Sequence, residues 1–225
     1  MTFRNRIQYL LVKRMRISNK EAFALIESGQ IKINGLPIQE NCLLEPTDEV
    51  HYQDTLIREG KALHYVAFYK PRGIETTLNE AIEDNLKSIL PFEEALFPVG
   101  RLDKESEGLL LLTNDGRLMD KTLRKEHETE KEYVVTVDKP IDADFVHAMA
   151  NGISIMGQTT LPCFVEAINE FQFRIILVQG LNRQIRRMCY KLDYEVTELI
   201  RVRIGQVCLQ ELTSGQYRRL TKEEL

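Results

Sequence analysis

A glycine-flanked turn carrying one aspartate comes shortly before a fully apolar run. The turn is Gly-Arg-Leu-Asp at residues 100–103, and the run is four leucines at residues 109–112, just after Gly108. An apolar run of this length predicts a buried strand, and the glycines predict sharp turns beside it. Asp103 is then held at the edge of the core and cannot relax toward solvent as a surface aspartate can. From the residues alone, it is either a turn aspartate that caps the next element or a reactive carboxylate.

The length and the composition limit the class of protein. With 225 residues, the chain holds either one large domain or a small domain followed by a medium one. Hydrophobic residues make up 43% and charged residues 28%, as in ordinary globular proteins. No apolar run approaches the length that spans a bilayer, and the N-terminus lacks the apolar core of a signal peptide. We therefore expect a cytoplasmic protein with no membrane partner.

Cysteine and histidine show no metal-binding pattern. The four cysteines are far apart and none belongs to a C-x-x-C pair, and the four histidines have no ligand spacing. Neither a metal site nor a disulfide framework is predicted. The sequence also contains no dinucleotide-binding motif, so the residues point to no cofactor.

Basic residues are concentrated in two stretches, although the net charge is −4. A polyanion senses the local concentration of charge more than the net charge, so both stretches are candidate contacts to a polyanion. The first stretch, which contains no acid, consists of Arg4, Arg6, Lys13, Arg14, Arg16 and Lys20. The second consists of Arg183, Arg186, Arg187, Lys191, Arg201 and Arg203.

Residues 1–53 form a unit of their own in the sequence pattern. A helical segment is predicted over residues 4–12. Ser18 and Glu21 match a capping box, in which the hydroxyl and the carboxylate satisfy unpaired amides at the start of a second helix. Gly29 fits the position just after the end of that helix.

A hairpin and a further strand follow the two helices. Residues 31–33 alternate as a strand, Asn34-Gly35 is a strong hairpin signal, and residues 50–52 form a strand after another turn. This order of elements, with basic residues on the helices, resembles the S4 RNA-binding domain. A generic small α+β unit is the alternative.

The S4 resemblance implies that the first basic stretch binds RNA. The second helix of such domains in this family often begins with two arginines, whereas this chain has Asn19-Lys20. This departure weakens the expected contact through that helix and assigns more of it to Arg14 and Arg16.

The rest of the chain predicts a second, larger domain. Residues 54–62 are polar and are predicted as a linker, so this domain covers residues 63–225. Strand and helix signals are mixed without the regular spacing of βαβ units, which predicts an α+β domain around a central mixed, mostly antiparallel sheet. Strands are predicted at residues 64–69, 109–113, 133–137, 171–179 and 199–204, and helices at residues 118–124, 145–150 and 183–192.

The predicted helix at residues 183–192 separates apolar from basic residues on a 3.6-residue wheel. Asn182 is the predicted N-cap, and the helix N-terminus adds partial positive charge. The basic side is either a solvated surface or a surface that faces an anion. The apolar residues are Ile185, Met188, Cys189 and Leu192, and the basic residues are Arg183, Arg186, Arg187 and Lys191.

Four segments together resemble the RsuA/RluF family of pseudouridine synthases, which modify ribosomal RNA. Residues 100–113 match the catalytic loop, and Gly-Leu-Asn-Arg-Gln-Ile-Arg-Arg-Met-Cys at residues 180–189 matches the third family motif. Lys70-Pro71 matches the first motif, which shapes the wall of the active site. Residues 130–140 carry a finer resemblance to the RluF type, and the resemblance as a whole covers nearly all of the chain.

The resemblance assigns roles to residues in these segments. It implies that Asp103 is the nucleophile, that Tyr133 stacks on the uracil, and that Arg186 pairs with Asp103 and keeps it ionised. On composition alone, Tyr133 would be an ordinary packing residue of a strand. The further residues expected to contact RNA are Lys70, Arg101, Arg183, Arg187 and Lys191.

The implied reaction breaks the C1′–N1 bond of a uridine, rotates the base and rejoins it through C5. It involves no redox change and no group donor, so no cofactor is expected. The expected partner is ribosomal RNA of the large subunit, with another ribosomal RNA or a tRNA anticodon as the alternative. The protein is expected to be a monomer.

Two other classes of protein stay open at this point. One is a non-catalytic RNA-binding factor of ribosome assembly, against which the complete set of Asp103, Tyr133 and Arg186 argues. The other is a glycosidase-like hydrolase, which normally needs two paired carboxylates. Neither Glu105 nor Glu107 is placed convincingly as the partner of Asp103.

Overall fold

A computed structural model describes residues 3–123 and 129–225. The chain divides after Leu63 into two compact units. Two positions of the sequence analysis lie outside the described residues: Arg124, the predicted end of a helix, and His127, one of the four histidines without ligand spacing. No helix among the described residues is long and apolar enough to cross a membrane.

The first unit packs two helices against a four-stranded sheet with the strand order β2-β1-β3-β4. Its core is formed by apolar residues from both helices and from the strands, including Ile7, Leu11, Ile26 and Val50. The helices are α1 (Ile7–Met15) and α2 (Asn19–Glu27). The strands are β1 (Ile31–Ile33), β2 (Leu36–Pro37), β3 (Val50–Tyr52) and β4 (Thr55–Arg58).

Local signals in this unit correspond to the structure. The Ser18 backbone N–H donates to Glu21 Oε2 over 2.8 Å and the Glu21 N–H donates to Ser18 Oγ over 3.2 Å, so the capping box is formed. Asn34 and Gly35 have φ values of 52° and 81°, as a two-residue hairpin turn requires. The first helix begins at Ile7, three residues later than its pattern predicts.

Residues 54–62, which the sequence predicts as a linker, contain a paired strand instead. β4 forms an antiparallel pair with β3, with Thr55 opposite Tyr52. The Lys61 N–H donates to Pro46 O over 2.9 Å, and a Cβ on Gly60 would lie 2.2 Å from Thr47 O. The segment is therefore fixed to the first unit. A four-residue edge strand of mixed polarity carries too little periodicity to be distinguished from a linker.

The second unit is built on one sheet in which nine described strands take part. The order is β11-β12-β8-β13-β7-β5-β15, with β14 paired to β13 and β6 paired to β7. Among the described pairs, β13 with β7 is parallel and the others are antiparallel. The predicted α+β class with a mixed, mostly antiparallel sheet is confirmed.

Four of the eight predicted segments are longer in the structure, two are shorter (171–179 and 183–192), and two are shifted toward one end (64–69 and 118–124). The sheet contains β5 (Tyr65–Lys70), β6 (Phe97–Val99), β7 (Glu107–Thr113), β8 (Lys131–Val137), β11 (Phe164–Ala167), β12 (Gln172–Leu177), β13 (Val196–Ile204), β14 (Val207–Cys208) and β15 (Tyr217–Arg219). The helices are α3 (Gly116–Leu123), α4 (Ala143–Asn151) and α5 (Gln184–Lys191), and β9 (Ser154–Ile155) with β10 (Gln158–Thr159) forms a separate hairpin.

Two apolar clusters lie along the sheet. Residues of α4 and α5 pack on Val135, Phe173 and Leu199 and bury that half of the sheet. Phe68 of β5 and Leu110 of β7 belong to the second cluster. The predicted strand at residues 109–112 is at most 2% exposed, and it pairs with β5 on one side and, at residues 111–112, with β6 on the other. The segment that carries Asp103 therefore leads into the most deeply buried strand of the unit.

Candidate active site

The loop that carries Asp103 is fixed by backbone hydrogen bonds. Thr76 Oγ1 donates to Leu102 O over 2.6 Å, and the Leu102 N–H donates to Thr76 Oγ1 over 3.1 Å. On the other side, the Ser106 N–H donates to Asp103 O over 3.0 Å. Gly100 has a φ of 79°, which is the sharp turn that its position predicts. Asp103 is half-buried on this rigid turn.

Arg186 of α5 binds the backbone of the same loop. Its Nη2 donates to Glu105 O over 2.7 Å and to Ser106 Oγ over 3.4 Å, and its Nη1 donates to Val196 O over 3.0 Å. The sequence predicts a direct ion pair between Arg186 and Asp103, and no such pair is present among the described residues. The Arg186 guanidinium donates most of its hydrogen bonds to main-chain carbonyls. The Asp103 charge acts on it electrostatically, without an ion pair.

Several neighbours shift the pKa of the Arg186 guanidinium. Burial lowers the pKa of its guanidinium, and the positive charges of Arg183 and Arg72 lower it further. The negative charges of Asp103 and Glu105 act in the opposite direction. Because arginine stays protonated in proteins, the loop keeps a partly buried cation beside its aspartate.

Tyr133 lies in one register row with two buried cations. In neighbouring strands, Tyr133 of β8 is opposite Arg201 of β13, Arg201 is opposite Gly108 of β7, and Gly108 is opposite Lys70 of β5. Opposed residues present their side chains on the same face of a sheet. Arg201 is 3% exposed and Lys70 is fully buried. The row crosses β7 near its start, just after the Asp103 loop.

Arg201 connects this loop to β7. Its Nε donates to Leu109 O over 2.7 Å and its Nη1 donates to Arg101 O over 3.3 Å. Its Nη2 is buried and has no hydrogen-bond partner among the described residues. In the sequence, Arg201 is one residue of a basic stretch and has no assigned role. Its position between the apolar residues Ile200 and Val202 was the available signal.

The expectation that Lys70 contacts RNA is wrong for this structure. The Lys70 side chain is fully buried, and its Nζ donates to Pro71 O and Ile74 O, both over 2.8 Å. Burial lowers its pKa to about 8, although the charges of Glu75 and Asp103 act against this. Lys70 holds the turn after β5 and so supports the wall of the site.

Gly108 lets β13 approach β7 closely. A Cβ at Gly108 would lie 2.4 Å from Arg201 O and 2.8 Å from Arg201 N, and the residue has a φ of +103°. Both the contact and the backbone conformation exclude a side chain. The glycine predicted as a turn residue is therefore required for strand packing.

The start of α5 differs in detail from its prediction. The helix begins at Gln184, and its N-cap is Arg183, with a φ of 51°, rather than Asn182. The Leu181 N–H donates to Gln184 Oε1 over 3.0 Å, which closes the preceding turn. Asn182 Oδ1 accepts from Arg187 Nη2 over 3.2 Å. The side chain of Asn182 therefore fixes a basic residue of the helix and leaves the helix N-terminus uncapped.

The two faces of α5 are as predicted, because the apolar residues pack in the core and three of the cations are exposed. Ile185, Met188 and Cys189 are buried, and Leu192 packs against the same cluster. The exposed cations of the second unit that were expected to contact RNA are Arg101, Arg183, Arg187 and Lys191. Those of the first unit are Arg4, Arg6, Lys13, Arg14, Arg16 and Lys20, and all are exposed. Their contacts with RNA stay predictions.

The other carboxylates near Asp103 are engaged elsewhere. Glu105 Oε2 lies 3.6 Å from Arg72 Nη2. Glu107 Oε2 accepts from the Tyr69 hydroxyl over 3.3 Å. Both carboxylates therefore have contacts with groups other than Asp103. Among the described residues, no group of three His, Cys, Asp or Glu side chains could hold a metal ion.

Comparisons with known proteins identify the family to which the chain belongs. Residues 64–191 match the family model described as RNA pseudouridylate synthase. The dual-specificity RNA pseudouridine synthase RluF of Escherichia coli K12 is 44% identical over 210 residues, which cover 92% of this chain and 72% of that protein. The ribosomal small subunit pseudouridine synthase A of Vibrio cholerae is 31% identical over 98% of this chain and 97% of that protein.

A solved structure covers both units of the chain. The crystal structure of a pseudouridylate synthase superposes with a TM-score of 0.68 at 28% identity, and it covers 97% of each chain. The chain belongs to the RNA pseudouridylate synthase family. The resemblance to pseudouridine synthases is thereby confirmed, and enzymes of this family are isomerases.

The packing at Gly108 gives a prediction for stability. Gly108→Ala should lower the free energy of unfolding by about 2–4 kcal/mol, because the new Cβ meets the Arg201 backbone at a strained φ. Gly116→Ala is the matched control, since a Cβ there meets nothing within 4 Å. We expect that variant to stay within about 1 kcal/mol of the parent. Urea unfolding measures both, and equal stabilities of the two variants would contradict the packing described.

Proposed function

We propose that this protein isomerises a specific uridine of ribosomal RNA to pseudouridine, with Asp103 as the nucleophile. The observation that carries the proposal is the fixed Asp103 loop, whose carbonyls bind Arg186 and Arg201. Both guanidiniums bind backbone atoms, so the Asp103 carboxylate stays available for substrate. Family membership supports the same reaction.

The reaction moves a base from one bond to another within a single nucleotide. The C1′–N1 bond breaks, the uracil rotates, a C1′–C5 bond forms, and the proton on C5 is lost while N1 gains one. Atoms and oxidation level are unchanged, so the proposal requires no cofactor. Asp103 attacks C6 of the base or C1′ of the sugar, or it removes a sugar proton. Each route needs an ionised carboxylate.

Tyr133 is proposed as the stacking surface for the uracil. It is half-buried on the side of β8 that faces α4 and α5, and it packs against the apolar cluster of those helices. A uridine must leave its stack to expose the sugar and the base, so the enzyme needs an aromatic surface that replaces the lost stacking. The Tyr133 hydroxyl is also a candidate acceptor for the proton that leaves C5.

Arg186 and Arg201 are proposed as positioning residues. Arg186 donates to Glu105 O, and Arg201 donates to Arg101 O, so the two guanidiniums hold the loop on either side of Asp103. A reacting group that is held this way loses little entropy in the transition state. This role replaces the direct ion pair that the sequence predicts.

The names of the relatives support the choice of RNA. RluF of Escherichia coli is named a dual-specificity RNA pseudouridine synthase, and synthase A of Vibrio cholerae is named for the ribosomal small subunit. We propose large-subunit ribosomal RNA as the substrate, with another ribosomal RNA or a tRNA anticodon as the second candidate. The proposal places the enzyme in the cytoplasm, and it requires only a monomer, since one chain supplies Asp103, Tyr133 and Arg186.

The first unit is proposed as an S4-type RNA anchor. Its exposed cations include Lys13, Arg14 and Arg16 at the end of α1, and Lys20 at the start of α2. None of these four has an ion-pair partner among the described residues, so their charges are open to phosphate. Contacts of this kind add affinity without reading sequence.

Replacing the nucleophile tests the chemistry. Asp103→Asn should abolish isomerisation and keep RNA binding, because the amide has the same shape and cannot attack. Glu105→Gln, in the same loop, should keep activity, since the Glu105 side chain pairs only with exposed Arg72. Tritium release from C5-labelled uridine in ribosomal RNA measures the rate, and filter retention measures binding. Turnover of the Asn variant within about tenfold of the parent, a barrier change near 1.4 kcal/mol, would exclude Asp103.

Tyr133 allows stacking to be separated from proton transfer. Tyr133→Phe keeps the ring, a contact worth about 1–3 kcal/mol per base, and removes only the hydroxyl. If the hydroxyl accepts the C5 proton, this variant should bind RNA normally and fail to complete the rearrangement. Tyr133→Leu should lose both binding of the base and turnover. Equal turnover by the Phe variant and the parent would assign the residue to stacking alone.

The salt dependence of RNA binding tests the anchor. The double variant Arg14→Gln with Arg16→Asn should weaken binding and reduce the slope of log K against log salt by about 0.7–0.9 for each lost phosphate contact. Asparagine is chosen at position 16 because Arg16 has a left-handed φ of 58°. Lys61→Gln, an exposed cation of the same unit, serves as the control. An unchanged slope in the double variant would remove the first unit from RNA binding.

A further inference from the structure

A cleft of about 480 Å³ opens along the exposed side of α5. Its walls are α5, the β9–β10 hairpin with Met156, and the start of β13 with Val196. Arg186 lines the cleft and also donates to Glu105 O in the Asp103 loop. The cleft therefore starts at the residue that supports the candidate active site.

Tyr190 presents an unpartnered ring to this cleft. Its residue is 77% exposed, and the ring makes no aromatic contact or hydrogen bond with the described residues. Tyr194, in the same wall, differs: its hydroxyl donates to Pro140 O over 2.9 Å, and its ring centroid lies 4.4 Å from that of Phe145. Tyr194 is thus a packing residue, whereas Tyr190 keeps both ring faces available on a rigid helix.

Cations line the same wall at helical spacing. Arg187 and Lys191 are one turn apart on α5, which places their Cβ atoms about 5–6 Å apart, and Arg183 is the N-cap residue four positions before Arg187. All three are exposed, and Glu195 is the acidic residue of the lining. A row of cations beside an exposed aromatic ring matches the chemistry of a single-stranded nucleic acid, with phosphates on one side and base faces on the other.

We propose that this cleft binds the single-stranded RNA next to the target uridine, with one base stacked on Tyr190 and its backbone phosphates on Arg183, Arg187 and Lys191. The proposal rests on the proposed function for the identity of the polymer. Arg186 connects the cleft to the candidate active site, since it lines the cleft and donates a hydrogen bond to the Asp103 loop. The wall carries four arginine or lysine side chains and one acidic residue, a local excess of positive charge that suits a polyanion.

The test measures binding of two probes to the full chain carrying Asp103→Asn, which leaves the probes unmodified. One probe is a short fluorescent oligouridylate, and the other is its abasic counterpart of the same length. Tyr190→Ala should weaken binding of oligouridylate about tenfold and leave binding of the abasic probe unchanged. Tyr190→Phe should bind both as the reference does, and Leu161→Ala, an exposed apolar residue outside the cleft, is the control.

The cations are tested with the same probes. Lys191→Gln should weaken both and reduce the salt slope by about 0.7, whereas Lys222→Gln, an exposed lysine elsewhere, should not. The proposal is overturned if Tyr190→Ala binds both probes like the reference or loses both equally. Isomerisation is measured separately on ribosomal RNA with Asp103 intact. If isomerisation is absent but Tyr190→Ala still weakens binding of oligouridylate, the proposed function is rejected and the proposed RNA binding by the cleft is retained.

Discussion

The parallel pairing of β13 with β7 is the contact on which the second unit depends. It joins the strands packed under α4 and α5 to the strands of the second apolar cluster, and it does so where Gly108 meets the Arg201 backbone. The same approach brings the Arg201 guanidinium to Leu109 O and Arg101 O. The sheet and the Asp103 loop are therefore held by one close contact between two backbones, and a side chain at Gly108 would disturb both.

The row beside this contact contains an unusual amount of buried positive charge. Lys70 and Arg201 are both almost fully buried, and neither forms an ion pair among the described residues. Their hydrogen bonds go to main-chain carbonyls, which offset only part of the desolvation cost of a charge. The Asp103 charge acts on Lys70 and on Arg186. Such an arrangement costs stability and is typical of a functional site, where it sets the charge and the position of a reacting group.

The elements could be predicted wherever the signal is local. The capping box at Ser18, the hairpin at Asn34-Gly35 and the buried run at residues 109–112 each depend on neighbours in sequence, and each is present in the structure. The two faces of α5 follow from helical periodicity in the same way.

The arrangement of the site could not be predicted, because it depends on register between distant strands. The row from Tyr133 to Lys70 requires the pairing of four strands, and the Glu105 carbonyl that binds Arg186 lies 81 residues away in sequence. Residue type showed that Arg186, Arg201 and Lys70 are cations. Only the fold shows that all three donate hydrogen bonds to main-chain carbonyls. The expected contact of Arg186 with Asp103 and the expected contact of Lys70 with RNA are therefore replaced by structural roles.

The fold also divides the second basic stretch into cations that are used internally and cations that a polyanion can reach. Arg203 donates to Glu132 Oε2 over 2.8 Å and to Glu130 Oε2 over 2.9 Å, which raises its pKa and neutralises it locally. Arg201 is buried. What stays exposed on this stretch is the edge of α5 with Arg183, Arg187 and Lys191.

This selection reconciles an acidic protein with an RNA substrate. The net charge of −4 repels a polyanion weakly at long range, but at contact distance only the charges within about one Debye length, roughly 8–10 Å, matter. Arg203 is paired with acidic residues, and Arg201 is buried in the core. The exposed cations of this stretch therefore lie along α5, and they mark one direction from which a polyanion can approach. On the proposed path, a strand of RNA that follows them passes Arg186, whose guanidinium binds the Asp103 loop. The proposal thus connects the electrostatic attraction to the Asp103 carboxylate through one side chain.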